Sequence, residues 1–490
     1  MNTRPIVWSI AGSDSGGGAG IQADVKAIHG LGCHPCTAIT AVTAQNTVAV
    51  QAVHRLPDAD LATQLESLAD DLPPAAVKIG MVPDVDAAGV VREALRRVDC
   101  PVVLDPVMVS TSGSALSDDP AGAPVWRMAP AADIVTPNLH EASRLVGREL
   151  REPGEIEHAA AELVDRGCRA VVITGGHGEG ELCQDYFFDG TRGAWISNRR
   201  IATRNTHGTG CTQSSAIAAA LARGERLVDA VVIARMFVNE AIRGALDVGA
   251  GPGPVCQHDW PEQGEDLPWL TDTAEAWRPR PGFPPPGDTP IGLYPCVDTA
   301  EWVERLAAAG VTTIQLRNKT LQGAVLEREI DAAIAGATRH GARLFINDHW
   351  ELAIARGAYG VHLGQEDLDG ADVGRIARAG LRLGISTHCH AEVARAHAVR
   401  PSYIACGPIF ATTVKQMAFA PQGVEKLGYW RRVLADYPLV AIGGIDAGRA
   451  AAVSAAGADG VSLIRAVTLA DDWRTAVAEL TAAIERGRRS

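Results

Sequence analysis

The sequence predicts an α/β protein of two domains, a largely parallel sheet covered on both faces followed by a (β/α)8 barrel. Three observations lead there. In the first half, short apolar strands alternate with helical patterns. In the last roughly 200 residues, eight further short strands do the same, at the lower end of barrel length. Between them lies a stretch rich in Pro, Gly and Trp. The chain's 490 residues exceed what one ordinary core holds.

Composition narrows the function classes. With 47% hydrophobic and 21% charged residues the chain reads as a well-buried globular protein. The net charge of −13, with no basic cluster, argues against a nucleic-acid surface while leaving room for small anions held locally. Ten irregularly spaced cysteines form no disulfide framework. Cys33 and Cys36 make a C-x-x-C without a zinc-spaced partner, so they read as reduced thiols, with a redox role second. No signal-like or membrane-spanning run opens the chain, and a cytoplasmic location is expected.

Taken in order, Ile6 to Ala11 reads as a strand, Gly12 to Gly20 as a glycine-rich turn, and Ile21 onward as a helix. Gly18 to Ala23 fits the dinucleotide fingerprint G-x-G-x-x-A, but the next strand, Thr37 to Thr43, lacks the acidic residue which that fold needs. A loop for another small ligand is the better account. Asp24 and Gln45 supply a carboxylate acceptor and a two-way amide suited to an aminopyrimidine edge; alternatively they are a solvated helix residue and a turn amide.

Strands at Ala76 to Ile79, Val102 to Leu104, Ile134 to Thr136 and Ala170 to Thr174 complete the sheet, whose ligands belong at the carboxyl ends of its strands. Asp105, Asn138 and Glu141 fall there, followed by Gly175-Gly176-His177. Asp105 and Glu141 suit Mg²⁺ with a nucleotide, although Glu141 alone reads as a first-turn helix charge. The stretch Asn205 to Ser215 contains Gly208, Thr209, Gly210 and Cys211 and runs into an apolar helix. Glycines at a helix mouth make an anion site, and a thiol there is a candidate base; the plainer reading is a glycine turn beside a small buried thiol.

Together, Ala11 to Asp14, Ala23-Asp24, Thr43 to Thr47, Leu104 to Met108, Pro137-Asn138 with Glu141, and His207 to Thr212 resemble the hydroxymethylpyrimidine/phosphomethylpyrimidine kinases of the ribokinase-like superfamily, over about residues 5 to 250. The resemblance implies an α/β/α sandwich. It assigns the pyrimidine to Asp24 and Gln45 and Mg-ATP to Asn138 and Glu141, a site to which Asp105 and Thr209 are also assigned as candidates. It makes residues 208 to 211 the anion hole and Cys211 the base, with Gly208 and Gly210 beside it. Thr174 departs from the Lys expected before Gly-Gly-His.

Residues 256 to 288, holding Trp260, Trp269 and Trp277 and the proline-rich Arg278 to Gly287, are expected to be a semi-rigid linker between domains 1 to 255 and 289 to 490. The barrel strands are placed at Ile291 to Cys296, Thr312 to Leu316, Leu344 to Ile346, Gly360 to Leu363, Leu381 to Ile385, Tyr403 to Cys406, Leu439 to Ile442 and Gly460 to Ile464. Polar groups follow them: Gln315, Arg317 and Lys319, then Asn347 and Asp348, Asp367, Ser386, Thr412 and Lys415, and Gly443-Gly444. In a barrel these meet on one rim. Asp348 and Asp367 can share Mg²⁺, the cationic side chains can neutralise a diphosphate, and the glycine amides can hold a second phosphate.

Gln315 to Lys319, Asn347-Asp348, His362 to Asp367 and Gly407 to Phe410 resemble thiamine-phosphate synthase over about residues 290 to 485. That family joins hydroxymethylpyrimidine diphosphate to thiazole phosphate. Val414 stands where a Thr is usual, removing one diphosphate hydrogen bond, and Arg465 stands where a phosphate-binding Ser is expected and takes over the thiazole phosphate. The product of the first activity is the substrate of the second. The expectation is a bifunctional thiamine-biosynthesis transferase using ATP and Mg²⁺, with small-molecule substrates, no nucleic acid or membrane partner, and homo-oligomerisation as a dimer through the kinase domain. The competing readings are a pyridoxal-type vitamin kinase, a degenerate regulatory barrel, and a dinucleotide enzyme.

Overall fold

The computed structural model describes residues 4–108, 122–176, 180–274, 282–411 and 419–489. The chain forms two compact units, Met1–Arg278 and Pro279–Ser490.

The first unit is a ten-stranded sheet ordered β10-β9-β8-β7-β6-β5-β4-β1-β2-β3. Its strands are β1 (Ile6–Asp14), β2 (His34–Gln45), β3 (Val50–Arg55), β4 (Ala76–Ile79), β5 (Val102–Leu104), β6 (Ile134–Val135), β7 (Val171–Ile173), β8 (Leu182–Phe188), β9 (Gly193–Arg199) and β10 (Trp269–Thr271). The inner strands β2, β1, β4, β5, β6 and β7 pair in parallel, and β5, β6 and β7 are the unbroken apolar runs that strands covered on both faces require. Both edges are antiparallel: β3 pairs with β2, and β8, β9 and β10 extend from β7. These edge strands mix polar with apolar residues and carry no such signal.

The chain leaves β1 toward β2 and later returns on the other side of β1 as β4, which opens a ligand crevice at the carboxyl ends of β1, β4 and β5. Helices Gly20–Gly30 and Thr209–Ala222 pack together over that point. The second is buried from Thr212 to Ala220, and its polar residues Gln213, Ser214 and Ser215 are buried with it.

The linker expectation is corrected. Cys256 N–H donates to Ala241 O at 3.0 Å, the Arg223 guanidinium lies 4.8 Å from the Trp260 ring centre, and β10 adds a strand to β9. Residues 256 to 274 therefore finish the first unit: their apolar tryptophans and backbone donors find partners on it. Residues 286 to 290 belong to the second unit, where Arg343 donates to the carbonyls of Pro286, Thr289 and Pro290 at 3.0, 2.8 and 2.8 Å.

That unit is a closed parallel barrel. Its strands are β11 (Gly292–Val297), β12 (Thr313–Leu316), β13 (Arg343–Asn347), β14 (Gly360–Leu363), β15 (Arg382–Thr387), β16 (Tyr403–Cys406), β17 (Leu439–Ile442) and β18 (Gly460–Leu463). β11 against β18 completes the ring, and Tyr294, Phe345 and Tyr403 fill its interior.

Candidate functional site

In the first unit the crevice is a cavity of about 1090 Å³, with Asp14, Gln45, Lys78, Asp105 and Glu141 on its walls and residues 208 to 211 at its mouth. Gly208 caps the helix with φ of 85°, and a Cβ there would meet Gly18 O at 1.9 Å. The position therefore demands glycine because two backbones touch, not because a ligand does. Asp14 fastens the same contact, lying 3.1 Å from His207 Nε2 and accepting the N–H groups of Gly16, Gly18 and Ala19. Burial pushes the Asp14 carboxyl up, but these hydrogen bonds hold it below the usual value. Gly210 differs: nothing lies within 4 Å of a Cβ placed there. Among the described residues, no hydrogen bond engages the backbone N–H of Gly210 or of Cys211. Two donors and a helix N-terminus thus face the cavity, an arrangement that receives anions.

Beneath the loop sits Lys78, a charged residue in the middle of the apolar strand β4 and wholly buried. Its Nζ lies 2.9 Å from both Asp24 oxygens and 3.9 Å from Asp105. Burial opposes its charge, yet Asp24, Cys211 and Asp105 raise its pKa above the ordinary lysine value. Asp24 also accepts from Ser9 and Ser215 at 2.6 and 2.8 Å. The expectation that Asp24 faces the pyrimidine is therefore corrected: it is fully buried, saturated as the counter-ion of Lys78, and does not line the cavity. Gln45 does line it; its Oε1 accepts from Thr43 at 3.2 Å, leaving the NH2 end for a ligand.

Cys211 lines the cavity as expected, but its surroundings oppose a thiolate. Burial pushes its thiol up to about 12, with Lys78 opposing and Asp24 and Asp105 adding to the rise. The helix terminus that suggested a thiolate is outweighed by desolvation.

At the other wall, burial and then the charge of Asp105 push Glu141 up to about 8, and burial raises Asp105 against the opposing pull of Lys78. Asn138 and Glu141 form a reciprocal capping box at 3.0 and 2.9 Å, so their first role is to start helix Leu139–Val146 at the cavity edge. Thr174 and Thr209 line the cavity, and His177 lies outside the described residues. A buried brace missed by sequence reading stands behind it: Arg235 contacts Asp185 at 3.3 Å, and Gln213 reaches the same carboxylate at 3.2 Å.

In the barrel, the expected polar residues gather at the carboxyl ends of β12, β13, β15 and β17. Asp348 follows β13 in the left-handed region at φ of 62° and pairs with Lys319; such a backbone costs about 1–3 kcal/mol and persists where its neighbours enforce it. Burial, followed by a hydrogen bond to Asp348, raises the Asp367 carboxyl. Gly443 and Gly444 have φ of 95° and 65°, and Cβ atoms there would meet Pro408 Cβ at 2.7 Å and Ala411 O at 2.5 Å. Gln315 donates to Tyr294 at 3.2 Å, and Ser386 Oγ lies 2.8 Å from His362 Nε2. Asn347 ends β13, Arg317 follows β12, and Arg465 is exposed after β18. Thr412, Val414 and Lys415 lie outside the described residues.

Residues 14–256 match the phosphomethylpyrimidine kinase family, and residues 293–467 match thiamine monophosphate synthase. A probable chloroplastic thiamine biosynthetic bifunctional enzyme of Oryza sativa subsp. japonica is 35% identical over 492 residues, covering 97% of this chain and 87% of that one. The chloroplastic thiamine biosynthetic bifunctional enzyme of Arabidopsis thaliana is 35% identical over 99% of this chain and 94% of its own. The chain belongs to the bifunctional thiamine biosynthetic enzymes. The thiamine-phosphate synthase of Serratia proteamaculans is 57% identical over 195 residues, 40% of this chain and 92% of that one.

This bifunctional enzyme therefore carries a kinase unit, with ATP as co-substrate, and a synthase barrel. Each unit presents two neighbouring carboxylates: Asp105 with Glu141, both with raised pKa values, and Asp348 beside Asp367, whose carboxyl is raised. Close carboxylate oxygen donors fit a hard divalent ion. Among the described residues no three His, Cys, Asp or Glu side chains converge, so such an ion would keep water or substrate oxygens. No helix among the described residues is long and apolar enough to cross a membrane.

Proposed function

We propose that the kinase unit phosphorylates 4-amino-5-hydroxymethyl-2-methylpyrimidine and then its monophosphate, and that the barrel couples the diphosphate to thiazole phosphate with release of diphosphate. The observation that carries the kinase part is the free pair of N–H donors at Gly210 and Cys211 above a buried Lys78, in a cavity that Gln45 also lines. The Gln45 NH2 donates to the pyrimidine. Gly210, Cys211 and Thr209 receive the transferring phosphoryl group, and Lys78 supplies positive potential from below. Phosphoryl transfer has a loose transition state in which positioning and charge matter more than a strong base, which suits a neutral Cys211 thiol. Asp105 and Glu141, with Asn138 at the same wall, would hold Mg²⁺ with ATP, where the ion neutralises phosphate charge.

In the barrel, Arg317, Lys319 and Lys415 bind the diphosphate, and Asp348 and Asp367, beside Asn347, would hold its Mg²⁺. Gln315 and Ser386 hold the pyrimidine, and Thr412 adds a hydroxyl to the diphosphate. The amides of Gly443 and Gly444, with Arg465, take the thiazole phosphate. Departure of diphosphate leaves a methylene cation that the electron-rich aminopyrimidine stabilises, and the thiazole nitrogen captures it.

A dimer through the kinase unit is supported by edge strand β3 and the exposed Val42, Val48 and Val53 around it. Ten cysteines whose spacing forms no disulfide framework support a reducing compartment such as the cytoplasm. The test is a coupled assay: the full chain with hydroxymethylpyrimidine, thiazole phosphate, ATP and Mg²⁺ yields thiamine phosphate. Product that forms only when synthetic pyrimidine diphosphate replaces hydroxymethylpyrimidine overturns the kinase part, and silence with both overturns the synthase part. Pyridoxal in place of hydroxymethylpyrimidine measures the competing vitamin-kinase activity.

A further inference from the structure

The barrel interior holds a polar chain that joins Gln315 on β12 to Ser386 on β15. Gln315 Nε2 donates to the Tyr294 hydroxyl at 3.2 Å. That hydroxyl lies 2.7 Å from the hydroxyl of Tyr403, which lies 2.8 Å from His362 Nδ1. His362 Nε2 is 2.8 Å from Ser386 Oγ. Tyr294, Tyr403, His362 and Gln315 are all buried, so these are the groups that satisfy one another.

Counting protons gives the chain a direction. Cys296 Sγ donates to Gln315 Oε1 at 3.5 Å, which fixes the amide with its NH2 toward Tyr294. Tyr294 accepts there, so its own proton goes to Tyr403, and the Tyr403 proton goes to His362 Nδ1. A neutral imidazole that accepts at Nδ1 carries its proton on Nε2 and donates to Ser386 Oγ. Ser386 is left with its hydroxyl proton undirected by the protein.

We propose that His362 is a positioning residue for the synthase reaction, and that the chain from Gln315 through Tyr294 and Tyr403 holds it as the Nε2–H tautomer so that Ser386 offers its hydroxyl proton to a ring-nitrogen acceptor of the pyrimidine diphosphate. This rests on the reading of Ser386 as a pyrimidine contact. The same chain ties the placement of Gln315 to that of Ser386. A pyrimidine presenting a donor at this point would meet a hydroxyl still able to accept, but without the aligned proton, so the device selects for an acceptor.

The full chain, labelled with ¹⁵N-histidine, is read by long-range proton–nitrogen correlation alongside synthase kinetics. The wild type is expected to show His362 protonated at Nε2. Tyr403→Phe and Tyr294→Phe, which remove one oxygen each, are expected to mix the tautomers and raise KM for the pyrimidine diphosphate about 10-fold with kcat nearly unchanged. In either background, Ser386→Ala should add little. A wild-type Nδ1–H tautomer overturns the proposal, as does unchanged KM in both phenylalanine variants when Ser386→Ala alone is impaired. An unimpaired Ser386→Ala overturns the reading of Ser386 itself, whatever the tautomer.

Discussion

Lys78 Nζ sits 2.9 Å from both carboxylate oxygens of Asp24, and neither side chain is exposed to solvent. A buried pair of this kind matters most when one member is removed. Lys78→Met is expected to lower the unfolding midpoint of the kinase unit by the equivalent of about 3–5 kcal/mol, because Asp24 is left charged and dry. Asp24→Asn in the same chain should recover part of the loss. Calorimetry on the full protein, with synthase activity as the control, checks both.

Cys211 should behave as a thiol. With its pKa pushed up to about 12 from an ordinary 9.0, iodoacetamide at pH 8 should modify it about 1000-fold more slowly than an ordinary cysteine. Cys211→Ser should keep kinase kcat within about 10-fold of wild type, since a hydroxyl still donates. Rapid alkylation mapped to Cys211, with an inactive serine variant, would restore the thiolate base.

Glu141 predicts a pH dependence. Its folded pKa of about 8 exceeds the ordinary 4.5, so between those values the native state holds a proton that the unfolded chain has released. The Glu141 contribution to the stability of the kinase unit without Mg²⁺ is therefore full below about pH 4.5 and falls toward pH 8, by up to about 1.4 kcal/mol per pH unit. Glu141→Gln, whose Oε1 can still close the capping box, should flatten the slope. Thermal midpoints across that range decide it.

Gly208 and Gly210 should separate. At Gly208, φ of 85° and Gly18 O at 1.9 Å leave no room for a methyl group, and Gly208→Ala should cost more than about 2 kcal/mol. At Gly210 a Cβ meets nothing, so Gly210→Ala should fold normally and lose kinase activity by crowding the phosphoryl site. Equal thermal midpoints for the two variants would contradict this.

Asp367→Asn should raise the Mg²⁺ requirement of the synthase and cut its rate on the order of 100-fold, while leaving kinase turnover intact. Titrating Mg²⁺ against both activities in one preparation measures it.

The parallel strands of both units were legible because a strand buried on both faces must be an uninterrupted apolar run, as Val102 to Leu104 and Leu439 to Ile442 are. The edge strands β8 and β9 were not, since buried polar residues such as Asp185, Ser197 and Asn198 interrupt the apolar run. Tryptophans at 260 and 269 sat among turn residues and read as spacer; their partners on helix and strand come from distant sequence.

The amino-acid order by itself determined the two-unit α/β architecture, the pairing of kinase with synthase, and the rim positions of Gln45, Asp105, Asp348, Asp367 and Gly443-Gly444. Those follow from local periodicity and from motifs whose residues are neighbours in the chain. Tertiary structure decided which charges face a ligand and which face one another. It turned Asp24 from a substrate contact into the counter-ion of Lys78, because four elements converge on that point and exclude water. It set Cys211 beside Lys78, Asp24 and Asp105, where burial pushes its thiol pKa up, and it assembled Gln315, Tyr294, Tyr403, His362 and Ser386 into one chain from five separate strands. Burial and long-range hydrogen bonding depend on packing across hundreds of residues, and no local pattern encodes them.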